Sequence, residues 1–531
     1  MNDTNVIDII FVDDVNTSTH PYTEMAVVRA GFHEMGYKTD IHFFSKMSQD
    51  VIKNVFKERK PKYILGTFNY PEAETMLKIL EYIKLTYEDV LICIASPFID
   101  IYAEQLLQDY YFLDYAILGE PNQTSLELFK CLLNKLELTN CKGIVYRNEQ
   151  SRIVKNEPRP YVENINNFPI ADRSHQKLFN LEYVEILKSR GCTGTCSFCN
   201  FHSFRNRQPG SYFRIRSAND VVDEIQEIQE KSFGMKYKFF MGDFSLLEAN
   251  NQAIDDLYLL AREIQNRNLK IVVHFSTRAE LINQETAPLL KELKRAGVNS
   301  ILVGFESMDC NDLKLYKKLA TPDDNINAMN ILRELDIELF PSFILFNPLT
   351  DENSLKKNFD FLYESGFGRT FNWYRSHLQV HPETSVVDLL IKEGLLQRDF
   401  DYLNIRNQIK WKNSYAKTLL NAFNDVDMSA RLHRNQIRVF RLSNVVRNRL
   451  PEKYQDSFLD IIEHNKKLAA QMNEEHYEMA CKSLSLAING ATEEQLHEIC
   501  RKLDFSIYDE EYEKLKMMIE VKFERVRKYL I

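Results

Sequence analysis

Glycine is in short supply in this chain, with 16 in 531 residues, against an average usage of about 7%. Backbone that passes close to a bound group tends to need glycine, so few such places are on offer. Long apolar runs are missing as well. None approaches the roughly 18 residues of a membrane span, and the first residues lack the basic-then-apolar order of a signal peptide. A cytoplasmic protein is expected. Basic charge is outweighed, with 67 Lys and Arg against 76 Asp and Glu for a net −9, which removes the usual footprint of a nucleic-acid binder. Cysteine numbers nine, an odd count with six scattered singly, so a secreted disulfide framework is not expected. No repeat or low-complexity tract is visible. What remains is ordinary soluble globular composition, 44% hydrophobic and 27% charged, in a chain too long for a single core and expected to hold two to four domains.

Apolar runs alternate with helical periodicity from the start of the chain. Strands are expected at Val6–Val12, Lys38–Phe43, Tyr63–Leu65, Asp89–Ala95 and Tyr115–Leu118. Helices are expected between them, at Tyr22–Met35, Asp50–Glu58 and Ala73–Leu85. Such alternation implies βαβ units and a parallel sheet covered on both faces. The segments Lys142–Tyr146 and Arg152–Lys155 read as a hairpin, followed by a proline-punctuated linker. A second alternation starts at Tyr183, with strands at Tyr183–Leu187, Lys236–Met241, Ile271–Phe275, Ser300–Val303, Glu338–Leu345 and Phe371–Val380. Six βα units in that length suit a partial barrel, whose chemistry lies at the carboxyl ends of the strands. After Val386 strand signals stop and charge-laced helical periodicity takes over, as in Tyr512–Tyr529. The expected domains are therefore an α/β Rossmann-like unit at 1–141, a hairpin and linker at 142–180, a (β/α)6 barrel at 181–385 and a helical region at 386–531.

Three of the cysteines crowd into eight residues, Cys192-Thr-Gly-Thr-Cys196-Ser-Phe-Cys199, directly after the first barrel strand. Gly191 and Gly194 allow the loop to bend. Four-iron clusters usually take four thiolates, so three leave one iron open to chelate a small molecule. A structural zinc on these three and His202 is the competing reading, although such sites usually draw ligands as two separated pairs.

The C-x3-C-x2-C spacing, with Phe198 before the third cysteine, resembles the radical S-adenosylmethionine superfamily, specifically the group with an N-terminal cobalamin-binding-type domain. The likeness extends over most of residues 1–395. Arg216-Ser217, Val221-Val222-Asp223-Glu224-Ile225, Phe239-Phe240-Met241-Gly242-Asp243, Thr277-Arg278-Ala279 and Val303-Gly304-Phe305-Glu306-Ser307 resemble that group's segments in order. Gln379-Val380-His381-Pro382-Glu383-Thr384 is similar to its proline–glycine–threonine element. The resemblance implies that Cys192, Cys196 and Cys199 ligate a [4Fe-4S] cluster. It places Phe198 near the adenine of S-adenosylmethionine, Gly242 and Asp243 at its amino group, Arg278 at its carboxylate, and Glu306 and Ser307 at the ribose or amino group. No residue is assigned as catalytic.

The implied reaction is reductive cleavage of S-adenosylmethionine to a 5′-deoxyadenosyl radical that attacks an unactivated carbon, with a flavodoxin or ferredoxin type electron donor. A small molecule or peptide of specialised metabolism would be the substrate. If cobalamin binds, methyl transfer follows. If the N-terminal domain is vestigial, the alternatives are dehydration, oxidation, cyclisation or rearrangement. Asp13-Asp14-Val15-Asn16-Thr17-Ser18-Thr19-His20 departs from the family's Asp-x-His-x-x-Gly loop, so His20 is read as a loop residue. Ala95-Ser96 stands where paired glycines often lie. Gly119-Glu120-Pro121-Asn122-Gln123-Thr124 keeps part of the Gly-Glu-x-Glu-x-Thr element, and Thr67 offers a hydroxyl to a corrin. Arg431, Arg434, Arg438 and Arg441, with Arg447 and Arg449 beyond, are read as a solvated basic face or an anion site. Trp373, Tyr374 and Arg375 are read as pocket lining or core.

Overall fold

The computed structural model describes residues 20–37, 39, 48–59, 61–67, 73–95, 99–174, 183–203, 205, 207–231, 238–242, 245–426, 458–501, 503 and 505–526. The strands expected at Val6–Val12 and Lys38–Phe43, the loop before His20, Ser96, Asp243 and the arginines from Arg431 to Arg449 lie outside them, apart from Thr39. The chain divides into two compact units, residues 1–305, 315–342 and 380–408 in the first and 306–314, 343–379 and 409–531 in the second. Among the described residues no helix is long and apolar enough to cross a membrane.

The first unit carries two main sheets. Strands β1 (Tyr63–Thr67), β2 (Leu91–Ala95) and β3 (Tyr115–Ile117) run parallel in that order. Their central residues are buried on both faces, as expected of apolar runs without alternation. Helices His20–Glu34 and Pro121–Asn134 cover one side, with Met25, Val28, Phe32 and Phe129 packed against Leu65, Cys93 and Ile117. The hairpin forms β4 (Ile144–Arg147) and β5 (Ile153–Lys155). It does not stand apart from the first domain as expected. β4 pairs antiparallel with β3, so the hairpin extends the sheet to β5. The parallel strand β3 has a free edge, and the hairpin covers it.

The second sheet has the order β12-β11-β10-β9-β6, from β6 (Val184–Ile186), β9 (Lys238–Met241), β10 (Val272–Arg278), β11 (Val298–Glu306) and β12 (Glu338–Phe343). A short antiparallel ribbon, β7 (Ser189–Arg190) with β8 (Arg214–Ile215), lies between β6 and β9 in sequence. Parallel registers align Ile186 with Met241, Met241 with Phe275, and Arg278 with Gly304. The carboxyl ends of four strands therefore share one edge. Helices between them are marked by local caps. The Asn250 side chain accepts from Ala253 N ahead of Asn251–Asn266, and Thr321 with Asp324 forms a capping box ahead of Pro322–Glu334.

In the second unit, the strand expected at Phe371–Val380 is replaced by a 3-10 turn at Phe371–Arg375, with a single parallel bridge from Phe346 to His377. Phe371 and Tyr374 are both fully buried, and a spacing of three is that of a helical turn, not of a strand. Their rings pack with Phe359 and Phe423, so Tyr374 belongs to a core. Helices Glu352–Ser365, Ser414–Asn424, Leu459–Ile488, Glu493–Cys500 and Phe505–Val526 make up most of this unit. The helical tail read from periodicity is thus present.

One buried acid makes the first unit sensitive to pH. Glu383 is 7% exposed, and neither of its carboxylate oxygens has a hydrogen-bond partner among the described residues. Burial pushes its carboxyl up from 4.5 to about 7. A folded value above the unfolded one means extra stability below pH 4.5 that is lost as pH rises through 7, about 3 kcal/mol in all. Urea unfolding of Glu383→Gln should show that the wild type loses stability relative to the variant between pH 5 and pH 8. A difference that does not change with pH would contradict this.

Candidate functional site

The cysteine loop grows from the ribbon β7–β8. Gly191 has φ +84°, and a Cβ there would collide with the Tyr212 carbonyl, so the turn out of β7 requires glycine. Two arginines flank the loop, Arg190 on β7 and Arg214 on β8, and one carboxylate holds both. Glu120 accepts from Arg214 Nη1 at 3.0 Å and lies 3.4 Å from Arg190 Nη1. Arg190 also pairs with Glu24 at 2.8 Å, donates to Asn122 Oδ1 at 2.8 Å and lies over the Phe168 ring. Burial alone would raise the Glu120 carboxyl, yet the two guanidinium groups hold it below its ordinary value. The Gly119-Glu120 element of the N-terminal sheet thus fastens the stem of the cysteine loop.

Inside the loop, Ser197 N donates to the Tyr316 carbonyl at 2.8 Å, Ser197 Oγ to the Leu315 carbonyl at 2.7 Å, and Val386 N to the Ser197 carbonyl at 2.9 Å. The Phe198 ring meets Tyr316 edge-on at 5.5 Å. The three thiols are partly buried. Burial pushes the Cys199 thiol up to about 12; the Cys196 and Cys192 sulfurs add to the rise, while the Phe201 and His202 backbone N–H groups oppose it. Burial also raises the Cys192 thiol, opposed by Arg278 and the Gly194 N–H. These sulfurs feel one another and are supplied with N–H donors that favour thiolate. That environment fits anionic sulfur ligands compensated by a bound positive centre. Among the described residues no three His, Cys, Asp or Glu side chains converge as ligands of one metal ion. A four-iron cluster sets its thiolates on separate irons.

Arg278 closes β10 and is 7% exposed. Nε donates to Glu280 at 2.6 Å. Nη1 donates to Cys192 Sγ at 3.1 Å and Glu248 Oε1 at 2.9 Å. Nη2 donates to Thr193 Oγ1 at 3.2 Å and Glu248 Oε2 at 3.2 Å. Burial disfavours the cation, but Glu248, Cys192 and Glu280 outweigh it and hold its pKa above the usual arginine value. All five N–H groups are engaged, so the fork expected for a methionine carboxylate is committed within the protein. Glu248 carries no sequence signal beyond standing after the Gly242-Asp243 strand end. Its side chain is wholly buried, and it also accepts from Thr193 N at 3.2 Å and from the Thr193 hydroxyl.

Gly242 follows β9 at a point where a Cβ would strike the Glu185 carboxylate of β6, so a close approach to the neighbouring strand accounts for this glycine. In the second unit, Glu306 is 6% exposed and has φ +61°. A non-glycine residue rarely takes that conformation, and where it does the strain often marks a functional position. Its carbonyl accepts from Ile344 N at 2.8 Å. Ser307 is fully buried, donates to Asp312 Oδ2 at 2.9 Å and accepts from Asp309 N at 3.0 Å. At the carboxyl end of β1, Thr67 is 7% exposed and its hydroxyl has no partner among the described residues.

Residues 186–361 match the family model described as the Radical SAM superfamily. An uncharacterized methyltransferase of Pyrococcus horikoshii is 26% identical over 282 residues, 52% of this chain and 58% of the relative. The 4′-phospho-dehydrooxetanocin synthase of Priestia megaterium is 26% identical over 332 residues, 59% of this chain and 44% of the relative. The chain thus spans about half the length of these curated relatives. Among solved structures, the cobalamin-dependent S-adenosylmethionine radical enzyme OxsB, with aqua-cobalamin and S-adenosylmethionine bound, superposes with a TM-score of 0.67 at 17% identity. The match covers 98% of this chain and 80% of that one. The radical S-adenosylmethionine methyltransferase TsrM of Kitasatospora setae, with tryptophan and an S-adenosylmethionine analogue, gives 0.60 at 14% identity, covering 73% and 76%.

Proposed function

We propose that this chain, whose residues 186–361 match the Radical SAM superfamily model, cleaves S-adenosylmethionine at a [4Fe-4S] cluster held by Cys192, Cys196 and Cys199. The observation that carries the proposal is the three-thiol loop at the carboxyl edge of a parallel sheet, with N–H donors around its sulfurs. When bound, the cluster supplies the electron that splits the sulfonium, and cobalamin supplies a methyl carrier. Flavodoxin or ferredoxin is the proposed electron source, and the cytoplasm the proposed compartment.

The chain's own residues divide the remaining work. Glu306, buried on strained backbone, is assigned to the ribose or amino group of S-adenosylmethionine, because a carboxylate pairs well with an ammonium or hydroxyl in a partly closed site. Asp243 is assigned to the amino group and Phe198 to the adenine face, from the family resemblance. Gly242 keeps the strand end open beside Glu185. Ser307 holds the turn after Glu306 through Asp312 and leaves ligand contact to its neighbour. Arg278 is assigned to the thiol loop in place of the methionine carboxylate, since its donors are engaged there.

A cobalamin-dependent methyl transfer is the reaction we favour. Ligands of open α/β sheets bind beyond the carboxyl ends of the strands, and the buried Thr67 hydroxyl there has no partner among the described residues. A corrin, rich in amide groups, would satisfy it. The OxsB-like fold over nearly the whole chain supports the same reading.

Two measurements test this. Cys196→Ala, reconstituted anaerobically, should lose reductive formation of 5′-deoxyadenosine to background, and undiminished cleavage would refute the ligand assignment. Wild-type protein incubated with hydroxocobalamin should keep corrin absorbance through gel filtration. Complete loss of corrin would refute methyl transfer and favour a reaction that needs the cluster alone.

A further inference from the structure

We propose that Arg278 and Glu248 are positioning residues that set the electron affinity of the cluster with opposite signs; this rests on the reading that the cysteine loop carries one. Arg278 Nη1 donates to Cys192 Sγ at 3.1 Å, alongside the Gly194 N–H at 3.3 Å. Hydrogen bonds to ligating sulfur and nearby charge are main determinants of cluster potential. Reduction adds one electron, and no proton, to the cluster. A cation beside the sulfur stabilises the reduced form and makes the potential more positive.

The guanidinium reaches that sulfur because Glu248 holds it there. Glu248 takes both Nη groups, at 2.9 and 3.2 Å, and its side chain is wholly buried. The same carboxylate receives the Thr193 N–H and hydroxyl, so it fixes the residue immediately after Cys192 as well. Arg205 Nη1 holds the Thr193 carbonyl at 3.2 Å from the other side. The negative charge of Glu248 opposes reduction and partly offsets Arg278. Burial makes both charges count for more than they would at a surface.

A role in packing alone predicts something different. Loss of either partner would then loosen the loop in the same way, with lower iron content and shifts of one sign. Tuning by charge predicts shifts of opposite sign in protein that still holds a full cluster.

The test is a dithionite-poised redox titration, read by electron paramagnetic resonance on anaerobically reconstituted full-length protein, with iron and labile sulfide measured on each sample. Arg278→Met should shift the potential negative and Glu248→Gln positive. Arg278→Lys keeps the charge but loses the fork, so it should fall between wild type and Arg278→Met. A lone buried carboxylate is costly, so Arg278→Met could fail to fold. The double variant Arg278→Met/Glu248→Gln removes both charges and should then lie between Arg278→Met, or Arg278→Lys if that single variant is lost, and Glu248→Gln. Shifts of one sign in all loaded variants, or no shift in any, would overturn the proposal and leave the cluster assignment standing. A wild type without iron and sulfide would overturn the cluster assignment, and the tuning with it.

Discussion

Around the cysteine loop, the positions of side chains follow from the cost of burying carboxylates. Glu248 and Glu120 sit where water cannot screen them fully, and each is matched by guanidinium groups in hydrogen-bonding geometry. Breaking such a pair costs about 3–5 kcal/mol because the remaining charge is stranded. The pairs act at two places. Glu120 joins Arg190 and Arg214 across the stem, while Glu248 joins Arg278 and Thr193 inside the loop. Between them the loop is anchored at its stem and at Thr193, and Cys192 Sγ accepts from Arg278 and from the Gly194 N–H.

The same arrangement links the two sheets of the first unit. Glu120 follows β3 of the N-terminal sheet, and its arginine partners flank the loop between β7 and β8. Glu120 is thus a point at which the carboxyl edge of the N-terminal sheet touches the stem of the thiol loop. Thr67, Gly119 and Glu120 all lie at or just beyond that edge.

Much of this was legible from residue order. The apolar runs at Tyr63, Leu91 and Tyr115 are strands because fully buried parallel strands need no alternation, and the C-x3-C-x2-C spacing marks the loop without any tertiary information. The misreadings have a common physical origin. Phe371–Val380 is rich in aromatics, as strands are, but its burial follows a spacing of three. The hairpin at residues 144–155 looks self-contained until β3 is known to offer a free edge. For Arg278, residue order suggests a ligand for carboxylate and does not reveal that Glu248 and Thr193, from other segments, engage its donors. Glu248 is invisible for the same reason: nothing local distinguishes a carboxylate that will be fully buried. Glu306 was legible as a strand-end acid, but its left-handed backbone was not.

The central claim is that these three thiols carry a cluster with an iron open to S-adenosylmethionine. Electron paramagnetic resonance of the anaerobically reconstituted, reduced wild type tests it most directly, recorded before and after addition of S-adenosylmethionine. The account predicts a signal from a reduced four-iron cluster that changes shape when S-adenosylmethionine is added. A cluster signal indifferent to S-adenosylmethionine, or protein devoid of labile sulfide, would contradict it.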